Sequence, residues 1–78
     1  MWWKLKKLVD DEDRIVYAYS RESDTLDGEI EFLKQSKVFN CLRLASGDTQ
    51  ASVERFYAHV WGTISKYNAP EEKFIAIG

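Results

Sequence analysis

The chain has 78 residues, of which 45% are hydrophobic and 14% aromatic, with 13 acidic and 11 basic side chains and one cysteine. That is the size of one domain with one small core, and the lone Cys41 excludes an internal disulfide framework. No apolar run is long enough to cross a bilayer, and Trp2, Trp3 and the lysines after them lack the apolar segment of a signal peptide, so a cytoplasmic protein is expected.

Trp2 to Val9 reads as a first strand and Arg14 to Ser20 as a second, rich in β-formers. Asp10-Asp11-Glu12-Asp13 joins them as a polar turn. An even, symmetric loop would set Val9 opposite Arg14, Lys7 opposite Val16, Leu5 opposite Ala18 and Trp3 opposite Ser20. The other face would then pair Leu8 with Ile15, Lys6 with Tyr17 and Lys4 with Tyr19. Because side chains alternate, a slip of one residue exchanges these two sets.

Ser20 to Gly28 is a polar loop ending in the turn signal Asp27-Gly28. Glu29 to Lys34 alternates Ile30 and Phe32 with Glu29 and Glu31, the pattern of a half-buried strand. After a turn at Gln35-Ser36, Val38 to Leu44 is a fourth strand, with Phe39 and Cys41 beside Phe32 and Ile30.

Asp48 to Asn68 is an amphipathic helix. Val53, Phe56, Tyr57, Val60, Trp61, Ile64 and Tyr67 recur at helical spacing and form one apolar stripe. Asp48 or Thr49 supplies an N-terminal cap, Asn68 suits a left-handed C-terminal residue, and Pro70 blocks continuation. Phe74 to Ile77 is a short apolar run suited to a fifth strand.

These elements predict an α+β domain: a four-stranded antiparallel meander with the helix on one face, and a short C-terminal strand as an optional fifth. The helix is expected over Trp3, Leu5, Val16, Ala18, Ile30, Phe32, Phe39 and Cys41, with small Ala18 leaving room for a helix aromatic. Trp61 is expected to be the largest buried anchor of the helix.

No stretch carries a catalytic or metal-binding signature. Asp10 to Asp13 lacks the spacing and central glycine of a calcium loop and reads as a solvated turn. Glu29 and Glu31 share a strand face, as exposed alternating charges do. His59 falls off the apolar stripe near Arg55 and Lys66, with no nucleophile or orienting carboxylate beside it. Cys41 falls on the core side, where a free cysteine acts as a small apolar residue. No enzyme activity, metal or cofactor is therefore expected. Nine of the 13 acids lie between Asp10 and Glu31, with only Arg14 and Arg21 among them, which argues against a broad nucleic-acid footprint.

The informative feature is the expected uncovered face of the sheet. It collects Trp2, Lys4, Lys6, Leu8, Ile15, Tyr17, Tyr19, Leu33, Val38, Leu42 and Leu44, an apolar centre with a lysine and tyrosine margin. The competing expectation is that Phe74 to Ile77, or the Ser20–Asp27 loop, folds over it. Tyr17 to Ser23, with Asp27-Gly28 and Phe74 to Gly78, resembles a set of short bacterial or phage proteins of unknown function. The resemblance implies that origin and carries over no activity or site residue.

The sequence thus points to a small interaction module. It would self-associate or bind a protein through Trp2, Lys4, Lys6, Leu8, Ile15, Tyr17, Tyr19 and Leu42, as a symmetric dimer with the two tyrosines central. The alternative is a binder of single-stranded nucleic acid, with Trp2, Tyr17 and Tyr19 stacking on bases and the lysines on phosphates.

Overall fold

A computed structural model describes residues 1–77 of the chain. Five strands form: β1 (Trp2–Asp10), β2 (Arg14–Arg21), β3 (Gly28–Leu33), β4 (Val38–Arg43) and β5 (Glu72–Ala76), with the single helix α1 (Gln50–Tyr67) between β4 and β5. The sheet is antiparallel throughout, in the order β4-β3-β2-β1-β5. The expected meander is present, and the C-terminal run is a full fifth strand that starts two residues earlier than its apolar core suggests. It docks on β1, pairing Trp3 with Ile75 and Lys4 with Phe74.

The β3–β4 register is the expected one, with Phe32 opposite Phe39 and Ile30 opposite Cys41. The β1–β2 register is not. Leu5 lies opposite Tyr19, Lys7 opposite Tyr17 and Trp3 opposite Arg21, and the ladder shifts between Lys7 and Val9. A bulge at Leu8 takes up one residue, so the symmetric-loop pairing fails and β2 presents its other face to the helix. Ile15, Tyr17 and Tyr19 are therefore core residues, while Val16 and Ala18 lie on the opposite face, the reverse of the expectation.

Helix α1 begins at the cap Thr49, whose hydroxyl accepts from the Ser52 N–H at 3.1 Å. It ends at Asn68 in the left-handed conformation (φ 59°), and the next residue, Ala69, is left-handed as well (φ 47°). The loop after the helix is held by three side-chain-assisted contacts. Tyr17 donates to the Pro70 carbonyl at 2.6 Å, and the Lys7 ammonium donates to the Ala69 carbonyl at 2.9 Å while pairing with Glu71 at 3.6 Å.

The buried side of α1 is Ser52, Val53, Phe56, Val60 and Thr63. Phe56 lies flat on Trp3, ring centroids 4.0 Å apart, with Tyr19 next to both. Trp61, expected at the centre of the stripe, is 41% exposed. It sits at the flank of the helix, 5.5 Å from Phe32 and beneath Lys37. Tyr67 is likewise exposed. The helix runs opposite in direction to β4 and β5: Lys37 and Phe39 meet Trp61 and Tyr57 on one side, and Lys73 meets Tyr67 on the other.

Candidate interaction surface

The residues expected to form one contact face are divided by the observed register. Ile15, Tyr17 and Tyr19 leave it, with Tyr17 1% and Tyr19 0% exposed beneath the helix. Their polar tips explain how tyrosines tolerate that position, since a buried hydroxyl needs a partner. Tyr19 donates to the Asp48 carboxylate at 2.7 Å and accepts from the Ala45 N–H at 3.1 Å. Asp48, with no exposed side-chain area, also accepts from the Thr49 N–H and lies 3.7 Å from the Arg21 guanidinium. Burial raises both phenols above the ordinary tyrosine range, Tyr17 to about 12. Gly28 is part of this packing, because a Cβ there would lie 2.3 Å from the Tyr19 ring.

The uncovered face carries Trp2, Lys4 and Lys6 from β1, Val16, Ala18 and Ser20 from β2, Glu29 and Glu31 from β3, and Phe74 from β5. Val16, Ala18 and Ser20 are buried without a helix above them. Longer neighbours supply the cover. Arg14 pairs with Glu31 at 2.8 Å, Arg43 with Glu29, and Lys4 with Asp24. The Arg14 guanidinium and the Asn40 amide hold the Glu31 carboxyl below the usual carboxylate range. The Ser20–Asp27 loop does fold back: Asp24 and Leu26 close one side of a cleft with Lys4, Lys6 and Phe74, and the Ser20 hydroxyl donates to the Ser23 carbonyl. Trp2 stacks on Phe74 at 5.7 Å beneath the Lys4 ammonium. Here the face is mixed: small, mostly apolar side chains at its centre under a charged margin.

Phe74 is exposed on this face, and three further exposed apolar side chains lie together at the β4 end. Val38 is 45% and Leu42 50% exposed, with Leu44 just beyond. Strand β4 is last in the sheet order, and among the described residues no further strand pairs with its outer edge. Leu42 falls where the β3–β4 ladder shifts between Glu29 and Ile30. Between β4 and the helix runs a trough lined by Phe39, Asn40, Cys41, Gln50, Glu54 and Tyr57. The opposite edge differs in chemistry: β5 has Glu72 and Lys73 in the strand and Pro70 and Glu71 before it. Leu8 is exposed in the β1 bulge, on neither patch.

The remaining candidates settle into structural places. Asp11 caps its own turn, accepting from the Asp13 and Arg14 N–H groups, which lower its carboxyl. Asp10 is lowered by hydrogen bonds from Lys34 and Lys7. Among the described residues, no three of His, Cys, Asp and Glu are grouped to hold a metal ion. Cys41 is half-buried, and desolvation raises its thiol, away from nucleophilic use. His59 is exposed and stacks beside Phe56 at 6.1 Å. Among the described residues, no helix is long and apolar enough to cross a membrane. The sequence places Val38, Leu42 and Leu44 on the uncovered face but does not single out the β4 edge itself. The available signal was the five uncharged residues Val38 to Leu42, an unusual length for a strand that ends a sheet. No protein-family model matches the chain, and no curated protein or solved structure matches it either.

Proposed function

We propose that this protein is a small interaction module that self-associates through β4. One observation carries the reading: the outermost strand offers unpaired backbone groups and exposed Val38 and Leu42 with no charge between them. Native sheets blunt such edges with charges, prolines or a covering element; β5 carries Glu72 and Lys73 within the strand after Pro70, whereas β4 has its charges only at the ends, Lys37 before it and Arg43 as its last residue, with the irregularity at Leu42. A second copy adding its own β4 antiparallel, about a two-fold axis normal to the sheet, would satisfy the free backbone groups of both chains. Side chains keep their faces in that arrangement, so Phe39 and Cys41 of each copy stay on the helix side and Val38 and Leu42 meet on the other.

Nucleic-acid binding is the weaker reading, because two of its three stacking residues, Tyr17 and Tyr19, are buried. The test is molar mass by light scattering across a concentration series. The wild type is expected to be a dimer, and Leu42→Lys, an exposed position, should weaken association about tenfold or more and leave a folded monomer. A wild type that stays monomeric at the highest concentration removes the reading.

A further inference from the structure

On the other side of the helix from β4, a cleft of about 230 Å³ opens between α1 and the start of β1. Its floor is aromatic and aliphatic: Trp3, Phe56 and Ile77. Two polar residues in its wall are more than nine-tenths buried. The Trp3 indole N–H has no hydrogen-bond partner among the described residues. The residue Ser52 is 7% exposed, and its hydroxyl makes no hydrogen bond among them but, unlike the indole nitrogen, is open to water. A buried indole N–H is nearly always paired, so an unpaired one beside this cleft points to an absent acceptor.

The charge around the cleft fits the same conclusion. Ser52, Arg55 and His59 stand at i, i+3 and i+7 on α1 and so share one face. Of the four arginines, Arg14, Arg21 and Arg43 each have a carboxylate partner, whereas Arg55 has none among the described residues. No aspartate or glutamate lines the cleft. Every polar side chain there donates, or is a cation, or can do either.

We propose that this cleft binds a small organic carboxylate, its apolar body against Trp3, Phe56 and Ile77 and its oxygens toward Arg55, Ser52 and the Trp3 N–H. The Trp3 ring is already held in place by Phe56 stacked at 4.0 Å and the Arg21 guanidinium over the ring at 5.5 Å. The indole nitrogen is closed to solvent, so entry requires a side chain to move aside; Met1, Arg55 and His59 are the exposed residues lining the cleft. Direct charge-assisted bonds then supply orientation and the stacked floor supplies area.

The experiment uses the full chain labelled with ¹⁵N and titrated with sodium benzoate at constant ionic strength in chloride. Trp3→Phe, which keeps a ring on Phe56, identifies the Trp3 indole resonance by its loss. That resonance should move on titration while those of Trp2 and Trp61 stay in place. Benzyl alcohol, a similar ring without the charge, should bind about tenfold more weakly or worse, and Arg55→Gln or Ser52→Ala should weaken benzoate alone. A Trp3 resonance that benzoate does not move overturns the proposal. So does benzyl alcohol binding as well as benzoate, which would make the cleft a plain apolar cavity. An indole N–H protected from exchange without any ligand, and unmoved by it, would mean that the chain itself supplies the acceptor, and would overturn the proposal as well.

Discussion

The two faces of this sheet are built on opposite plans. Under the helix, large side chains interlock: Trp3, Tyr19 and Phe56 stack on one another, and each tyrosine hydroxyl reaches a partner across the interface. On the other face the central strand presents Val16, Ala18 and Ser20, and long charged arms from the neighbouring strands close over them. One side excludes water by volume and the other by reach. The first plan concentrates stability in a few residues, because a lost ring leaves a cavity that rigid neighbours cannot fill. The second spreads it over flexible pairs, each worth little when partly solvated.

Breaking the helix side should therefore cost most. Phe56→Ala is expected to lose about 3–5 kcal/mol, the range for truncating a buried aromatic, while Trp61→Ala at the exposed flank should lose about 1 kcal/mol. Chemical denaturation of both variants checks the contrast, and equal losses would mean that the flank is as buried as the centre. Tyr19→Phe comes next, at about 1–3 kcal/mol, since it keeps the ring but leaves the Asp48 carboxylate, buried on the protein side, short of a hydrogen-bond donor. A variant as stable as wild type would show that Arg21 and the Thr49 N–H suffice for Asp48.

The smallest effect is a slope in pH. Burial raises the Tyr17 phenol to about 12 from its ordinary value of 10.0, so the native state holds that proton over a range in which the unfolded chain releases it. The stability tied to the proton is complete below pH 10 and is lost as pH rises toward 12. Tyr19 shifts in the same direction and adds to the slope. Tyr17→Phe should flatten the decline in the unfolding free energy between those pH values. An unchanged slope would assign the alkaline loss to other groups.

Much of this architecture is legible in the amino-acid sequence, and one local event hides the rest. The alternation in Glu29 to Lys34, the helix period from Val53 onward, and the capping chemistry of Thr49 and Asn68 each give the observed element to within a residue or two. Register depends on a count, and the bulge at Leu8 changes the count without any glycine or proline to mark it. The compensating clue was size. Ile15, Tyr17 and Tyr19 outweigh Val16, Ala18 and Ser20, and the heavier set of a central strand belongs under the helix. Small Ala18 instead suggested space for a helix aromatic, and that argument lost because Tyr19 packs against Trp3 and Phe56 while its hydroxyl finds Asp48. The β4 edge and the Trp3 cleft are products of tertiary assembly. Val38 to Leu42 is an ordinary strand until its place in the order is known, and Arg55 is an ordinary surface arginine until Trp3 is beside it.

A difference in width underlies both surfaces. One helix with its side chains is about 10 Å across, whereas the outer strands of a five-stranded sheet stand about 19 Å apart. Laid along the strands, α1 cannot shelter both margins at once, and a trough remains on each flank: Phe39 and Tyr57 line one, Trp3 and Phe56 the other. A second helix would have filled the gap and left an inert layer. With only one, the domain keeps two shallow berths on opposite sides of the same rod, and a side chain that leans out from α1 is placed to touch whatever occupies them.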